Sequence, residues 1–404
     1  LTLVNALNFF DRQLIVILQE PIKVDLNLSD TQLGLLTGLS FAIFYSIMGI
    51  PIARFADRGN RKKVISAAVA VWSILTALTG YVQDFFQMLL VRIGVGVGET
   101  GSGPAALSII ADYFPLEKRG RAFAIYSMGL YVGLFLSFIL AGYLVETWGW
   151  RSTFIYLGLP GVAFAIILLL VVKEPSRGLS ETKEFVQESK GLSETFQFLF
   201  TRKTFIYVCI GNAMHSFVGY SFANWMPSFF IRVHKLPLSE VGLWLAISIG
   251  IGGAMGAFVG GVFTDRMVKI DRRWYMWLAI GSIFITLPFA LFTLLSSNAI
   301  AAVICYFIPN FFYSFTMGAM LTVILGVVKV DMRALTGAIY FFVINLVGLG
   351  LGPLTVGMLS DYLQPQFDSE SLRYSLLFIS IFNFVAIYFY WKASHYLEEE
   401  LDAV

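Results

Sequence analysis

Apolar runs of about 20 residues recur from one end of the chain to the other, separated by short polar connections, and each is long enough to cross a ~30 Å hydrocarbon layer. They fall at approximately 1–19, 32–53, 63–81, 85–110, 121–146, 151–173, 204–231, 239–264, 275–296, 299–328, 333–361 and 371–396. Lipid offers no partner for backbone N–H and C=O groups, so each run is predicted to be a helix. The weaker alternating pattern of a membrane barrel is absent. The predicted fold is an all-α membrane protein of twelve transmembrane helices in two pseudo-symmetric six-helix bundles.

An even number of spans leaves both ends on one side, and Lys and Arg decide which. Of the 28 Lys and Arg, only Lys23, Arg151, Arg232, Lys235 and Arg373 fall in connections on one face, and Arg12 and Arg92 lie within spans. All the others sit on the opposite face, which is therefore predicted to be cytoplasmic, together with both termini. The longest inner connection, 174–203, divides the chain into bundles at 1–173 and 204–397, with a cytoplasmic tail at 398–404. Phe196, Leu199 and Phe200 share one helical face of that linker and suggest an amphipathic helix on the membrane surface. The halves repeat: Asp57-Arg58 matches Asp265-Arg266, and Val132-Gly133-Leu134, Gly142 and Glu146 match Val347-Gly348-Leu349, Gly357 and Asp361. Parallel six-span repeats imply a substrate site between the halves near the bilayer midplane. Leu1 already lies inside an apolar segment, so the natural start is expected upstream.

Composition supports a membrane chain: 57% of residues are hydrophobic and 13% charged, with mean hydropathy +0.76. The net charge of +2 is sorted by membrane side and points to no nucleic acid. Cys209 and Cys305 form neither a disulfide framework nor metal-ligand spacing. No metal or cofactor is expected, and no Walker motif or Ser/His/Asp arrangement argues for ATP use or catalysis. Gly96-x-Gly98-x-x-Gly101 satisfies a dinucleotide fingerprint by letters alone, but it lies mid-span with no preceding strand. Small residues there let helices approach closely.

Charge inside a span costs at least ~2.5–3.5 kcal/mol, so it survives where water or a partner meets it. Asp11 and Arg12 interrupt the first span, and Arg92 and Glu99 the fourth. At 1.5 Å per residue, Asp11 and Arg92 lie roughly 12 Å below the outer boundary, with Glu99 about 10 Å deeper on nearly the face of Arg92. Arg92 is thus expected to lean toward Asp11 or Glu99. Because a guanidinium favours an ionised carboxylate, a switch between the two acids would move a proton with conformation; a permanent ion pair locking the two spans is the alternative. Asn5, Asn8, Asp11 and Arg12 make a polar stripe that favours a wet cavity. Asn212, His215, Ser216, Tyr220 and Asn224 line one stripe of the seventh span, and Tyr340 and Asn345 of the eleventh are further cavity candidates.

These residues resemble the major facilitator superfamily. Its loop signature between the second and third spans, Gly-x-x-x-Asp-Arg-x-Gly-Arg-Arg/Lys, is matched by Asp57, Arg58, Arg61 and Lys62, with Ala53 and Asn60 replacing the glycines. The second-half copy keeps Gly261, Asp265 and Arg266, and Arg92 with its following glycines matches the fourth-span signature. A narrower resemblance is to the spinster family, carried by Asn8-x-x-Asp11-Arg12, Arg92-x-x-Val95-Gly96-Val97-Gly98-Glu99 and Ile110-Ala111-Asp112-Tyr113-Phe114. The superfamily resemblance implies that Asp57, Arg58, Arg61, Asp265 and Arg266 belong to a cytoplasmic gate. Animal spinster members are associated with export of sphingosine-1-phosphate and lysophospholipids, and bacterial members are thought to be proton-coupled.

The expected protein is therefore a monomeric, proton-coupled secondary transporter in the bacterial inner membrane. Its two halves would rock to move an amphipathic lipid-like molecule or other organic ion. Asp11, Glu99 and Arg92 are the proton-coupling candidates. Arg12, Asn8, Asn212, His215, Tyr340 and Asn345 are the cavity candidates. The alternatives are a proton-independent facilitator of a small organic anion, with Arg92 as clamp, and a membrane receptor that binds without turnover.

Overall fold

The computed structural model describes residues 1–176, 179 and 192–402, with the side chains at 50, 53, 57, 58, 192 and 193 outside the description. Among the described residues the regular structure is helical, without a strand. Among the described residues seven helices, Arg61–Tyr81, Leu238–Met267 and Trp274–Leu295 among them, are long and apolar enough to cross a membrane. Side chains such as Phe86, Leu170 and Phe258 are more than 70% exposed. In water so much exposed apolar surface would drive association; here it is the surface offered to hydrocarbon.

Two compact units account for the chain: Leu1–Glu184 with Phe230–Ala246, and Phe185–Phe229 with Ile247–Val404. The division at residue 173 anticipated from the linker differs from this one at 230–246, which clusters with the first unit. The links are polar: Arg232 pairs with Glu20 and Asp30, and Glu146 accepts a hydrogen bond from the Ser239 amide at 2.9 Å.

In the first unit the helix Thr2–Ile17 lies against the first part of Leu116–Val171. A Cβ on Gly133 would fall 2.2 Å from the Ala6 carbonyl oxygen, so the approach requires glycine. Without a hydrophobic drive between helices in lipid, this close packing and its hydrogen bonds hold them together. Asn5 donates to the Tyr126 carbonyl at 3.0 Å and Ser137 to the Phe10 carbonyl at 2.9 Å. Leu116–Val171 is one unbroken run of 56 residues except at Gly149, whose φ of 71° and ψ of 165° turn the chain back on itself.

Short π-helical segments interrupt three helices, at Leu35–Leu39, Ala246–Ile251 and Asn345–Leu351. Such bulges are frequent where helices carry function. In the second unit the core gathers Val208, Met276, Ile283, Met320, Ile324, Tyr340 and Tyr390. The linker ends in the helix Leu192–Thr201. Its buried face is Thr195 and Leu199, while Phe196 and Phe200 are 41% and 73% exposed. The three apolar residues expected on one face are therefore split, because Leu199 turns into the core of the second unit.

Candidate functional site

The first-unit site is organised by the fact that Asp11 and Arg12 are adjacent. Consecutive helical residues point about 100° apart, so the two side chains serve different neighbours. Asp11, 1% exposed, accepts a hydrogen bond from the Trp72 indole N–H at 2.9 Å. Arg12 reaches the fourth span and pairs with Glu99, with Nη2 and Nε donating to Oε2 at 2.7 and 3.0 Å. Asn8, one turn earlier on the same face, accepts a further bond from Arg12 at 3.2 Å. Aromatic faces of Phe41, Phe9 and Tyr45 lie 4.5, 4.9 and 5.1 Å from the Arg12 guanidinium.

Arg92 does not make the expected pair with either acid. Among the described residues it has no carboxylate within 4.0 Å; its guanidinium lies 5.7 Å from the Phe41 ring centre and its Nε is buried without an acceptor. The reason is competition: Arg12, arriving from a separate helix, fills Glu99 Oε2, and Arg92 sits two turns away on Glu99's own helix. Among the described residues, one oxygen of each acid, Asp11 Oδ1 and Glu99 Oε1, is buried with no hydrogen bond of 3.5 Å or less, although the Asn8 side chain lies near enough to act on Glu99. Asp11, Arg92 and Glu99 act on one another electrostatically, and Arg12 acts on Arg92 and Glu99.

Glu99 is also the last residue of the helix Phe85–Glu99, and a new helix begins at Gly103. Pro104 accounts for the break, since its ring lacks an N–H and would clash with the carbonyl four residues earlier, at Thr100. Thr100 and Ser102 satisfy freed carbonyls through their hydroxyls, donating to Val97 and Glu99 oxygens at 2.7 and 3.0 Å. The C-terminal end of a helix carries partial negative charge, so the Glu99 carboxylate depends on Arg12 for compensation.

In the second unit, Asn212 donates to the Tyr340 hydroxyl and accepts from Tyr390 at 3.0 Å. His215 Nδ1 lies 3.1 Å from Asn383 Oδ1, which makes Nδ1 the donor, and its Nε2 is buried without a partner. The His215 ring is 5.1 Å from Tyr313. Asn345 is half-buried at the start of the π segment Asn345–Leu351. Tyr390 and Asn383, both on the helix Phe382–Ser394, are outside the cavity candidates read from the sequence; polar residues within its apolar run were their signal.

Of the gate candidates, the side chains of Asp57 and Arg58 lie outside the described residues, and Asp265 and Arg266 are exposed. Arg61 is 1% exposed and ties together three stretches of the first unit. It pairs with Asp112, donates to Ser108 at 2.8 Å, to Glu174 at 2.8 Å and to the Pro175 carbonyl at 3.0 Å. Burial disfavours the Glu174 charge, yet hydrogen bonds from the Lys62 amide at 2.8 Å and from Arg61 outweigh it and hold its pKa below the usual carboxylate value. On the opposite face, Arg232 donates to Glu20 and Asp30, each at 2.7 Å, and Lys23 also pairs with Asp30. Burial opposes the Arg232 charge, but the Asp30 and Glu20 carboxylates raise its pKa above the ordinary arginine value.

The sequence profile of the Major Facilitator Superfamily matches residues 1–353. The chain is 33% identical over 395 residues to an "MFS-type efflux pump" of Mycolicibacterium smegmatis, covering 98% of this chain and 91% of that one. It is 27% identical over 293 residues to a "Probable galactarate/D-glucarate transporter GarP" of Escherichia coli, covering 66% of each. Among solved structures, a bacterial homolog to the human lysosomal transporter Spinster, inward-facing and unoccupied, superposes with a TM-score of 0.90 at 31% identity, covering 99% of this chain and 96% of that one.

Proposed function

The chain belongs to the Major Facilitator Superfamily, on its spinster-like branch, and is a multi-pass membrane transporter rather than an enzyme; from that premise we propose that it is a proton-coupled carrier of an amphipathic, lipid-like or other organic ion, working by alternating access. The observation that carries this reading is the buried Arg12–Glu99 pair with Asp11 beside it and one oxygen of each acid without a hydrogen bond among the described residues. A proton on Glu99 removes the charge that holds Arg12. Arg12 is then free to meet Asp11 or an anionic group of the substrate, so proton and ion pair exclude one another at Glu99. Asp11 is the second proton site, and Arg92, with no carboxylate of its own, is available to a substrate anion. Asn8 supports Arg12; Asn212, His215, Tyr340 and Asn345 form a neutral polar group on the second unit. The sorting of Lys and Arg supports cytoplasmic termini, and the bacterial relatives support a bacterial inner membrane.

Spin-label pairs placed across each membrane face of the wild type, Asp11→Asn and Glu99→Gln proteins, read at pH 5 to 8, test this. Acidification should shift the opening in wild type, and either neutralisation should abolish the shift. If all three respond alike, these acids do not carry the proton. A second reading, proton-independent passage of a small organic anion clamped by Arg92, is favoured by the unpaired guanidinium and by the sugar-acid transporter among the relatives. It requires pH-independent transport that Arg92→Gln abolishes.

A further inference from the structure

Arg12 is wrapped by groups of one electrostatic kind. Its Nη2 and Nε donate to Glu99 Oε2 at 2.7 and 3.0 Å, and Nη2 also donates to Asn8 Oδ1 at 3.2 Å. The ring centres of Phe41, Phe9 and Tyr45 stand 4.5, 4.9 and 5.1 Å from its guanidinium carbon. Phe41 and Tyr45, one turn apart on the helix Ser40–Arg58, stack at 5.4 Å with 18° between their planes. The face of an aromatic ring is electron-rich and attracts a cation placed over it. A carboxylate, an amide oxygen and three rings would therefore receive an organic cation as they receive a guanidinium. An anion would meet the same groups with the wrong sign.

The cage is open on one side. Arg12 keeps 17% side-chain exposure where Glu99 has none, and Phe9 and Tyr45 are half-buried while Phe41 is buried. A guanidinium at membrane depth is tolerated where water reaches it, so the opening is wet. Asp11, the preceding residue, has Oδ1 without a hydrogen bond among the described residues. An Arg12 turned out of the cage thus has a second carboxylate to meet. Within the site two acids, Asp11 and Glu99, already balance two cations, Arg12 and Arg92, so an entering cation gains Glu99 only as Arg12 gives it up.

We propose that this cage binds a cationic group of the substrate, an organic ammonium or guanidinium, and that Arg12 occupies it until the substrate arrives. The inference rests on the reading that the Arg12–Glu99 pair opens during transport, and it names the class of head group that opens it. Proton and substrate then compete for one carboxylate.

The test titrates the purified full chain in detergent at pH 8 with benzyltrimethylammonium, and with benzenesulfonate as an anion of similar size, by isothermal titration calorimetry. Wild type should bind the ammonium at least about tenfold more tightly than the sulfonate, since the rings and Glu99 favour one sign. Arg12→Ala empties the cage and should tighten the ammonium about tenfold, because no fraction of the protein is then closed by its own side chain. Phe9→Leu with Tyr45→Leu removes two rings and should weaken it about tenfold. That variant and the wild-type preference decide the matter if Arg12→Ala does not fold. Wild type that ignores the ammonium or binds both probes alike overturns the proposal, as does an unchanged affinity in the ring variant. So does weaker ammonium binding by Arg12→Ala, or its displacement there by equimolar sodium, which would mark a general gain in negative potential. No proton moves in this assay, so the two readings fail separately. A protein whose spin labels answer pH but which ignores the ammonium loses the cage and keeps the coupling; binding without a pH response does the reverse.

Discussion

Replacing Glu99 with Gln leaves Arg12 facing Asn8 and three aromatic rings with no carboxylate opposite. Two charge-assisted hydrogen bonds to one oxygen are lost. Removing one member of a buried pair costs about 3–5 kcal/mol, mostly because the other charge is stranded. Arg12 keeps 17% side-chain exposure while Glu99 has none, so Glu99→Gln belongs at the lower end, about 3 kcal/mol, and Arg12→Gln nearer 4. The double variant strands neither charge and should be no less stable than the worse single one, a coupling of about 3 kcal/mol. Reversible unfolding in mixed micelles, followed by the fluorescence of the eight tryptophans, measures all four corners of the cycle. If the single losses add to within about 0.5 kcal/mol, Arg12 and Glu99 do not form the pair and the proton scheme built on it fails.

Pro104→Ala restores an N–H toward Thr100 and should stabilise the fourth span by as much as about 3 kcal/mol, while reducing the pH response of the spin labels because Glu99 no longer ends a helix. Gly133→Ala places a methyl 2.2 Å from the Ala6 carbonyl and should cost about 1–3 kcal/mol, whereas Gly103→Ala, with nothing within 4 Å, should be near neutral in the same unfolding assay. Glu174 has its pKa lowered from 4.5, so its stabilisation is fully present above pH 4.5 and lost as pH falls through the lower folded value. The stability gap between wild type and Glu174→Gln should therefore be flat from pH 8 to 5 and close only below that; a gap that closes near pH 6 refutes the assignment. Arg232→Gln leaves Asp30, 1% exposed, with Lys23 as its remaining cation, and labels at residues 26 and 233 should report a longer separation than in wild type.

Hydrophobic run length made the helices legible, because lipid leaves the backbone no other solution. The charged residues of the first and fourth spans were legible for a related reason: they are too costly to be there idly. Which arginine meets which acid was not. Arg12 and Arg92 are both within reach of Glu99 by rise per residue, and the choice rests on helix rotation and on Phe41 standing beside both cations. Trp72 was hidden in an apolar run, although a buried indole N–H needs an acceptor, and Asp11 supplies it. The helix break at Thr100 was legible in retrospect from Gly103-Pro104, where glycines had been read only as close packing. Arg61 was recognised by its loop motif, but its partners Asp112 and Glu174 lie far along the chain and no local spacing connects them.

Gly149 joins two helices with a single residue. Glu146, Trp148, Trp150 and Arg151 flank it, residue types that settle at a membrane interface, so the tip is held there although the two helices have almost no loop between them. The consequence reaches the bench: an epitope or protease site put in place of Gly149 removes the one residue in the left-handed region there, so it reports on a broken turn as well as on topology.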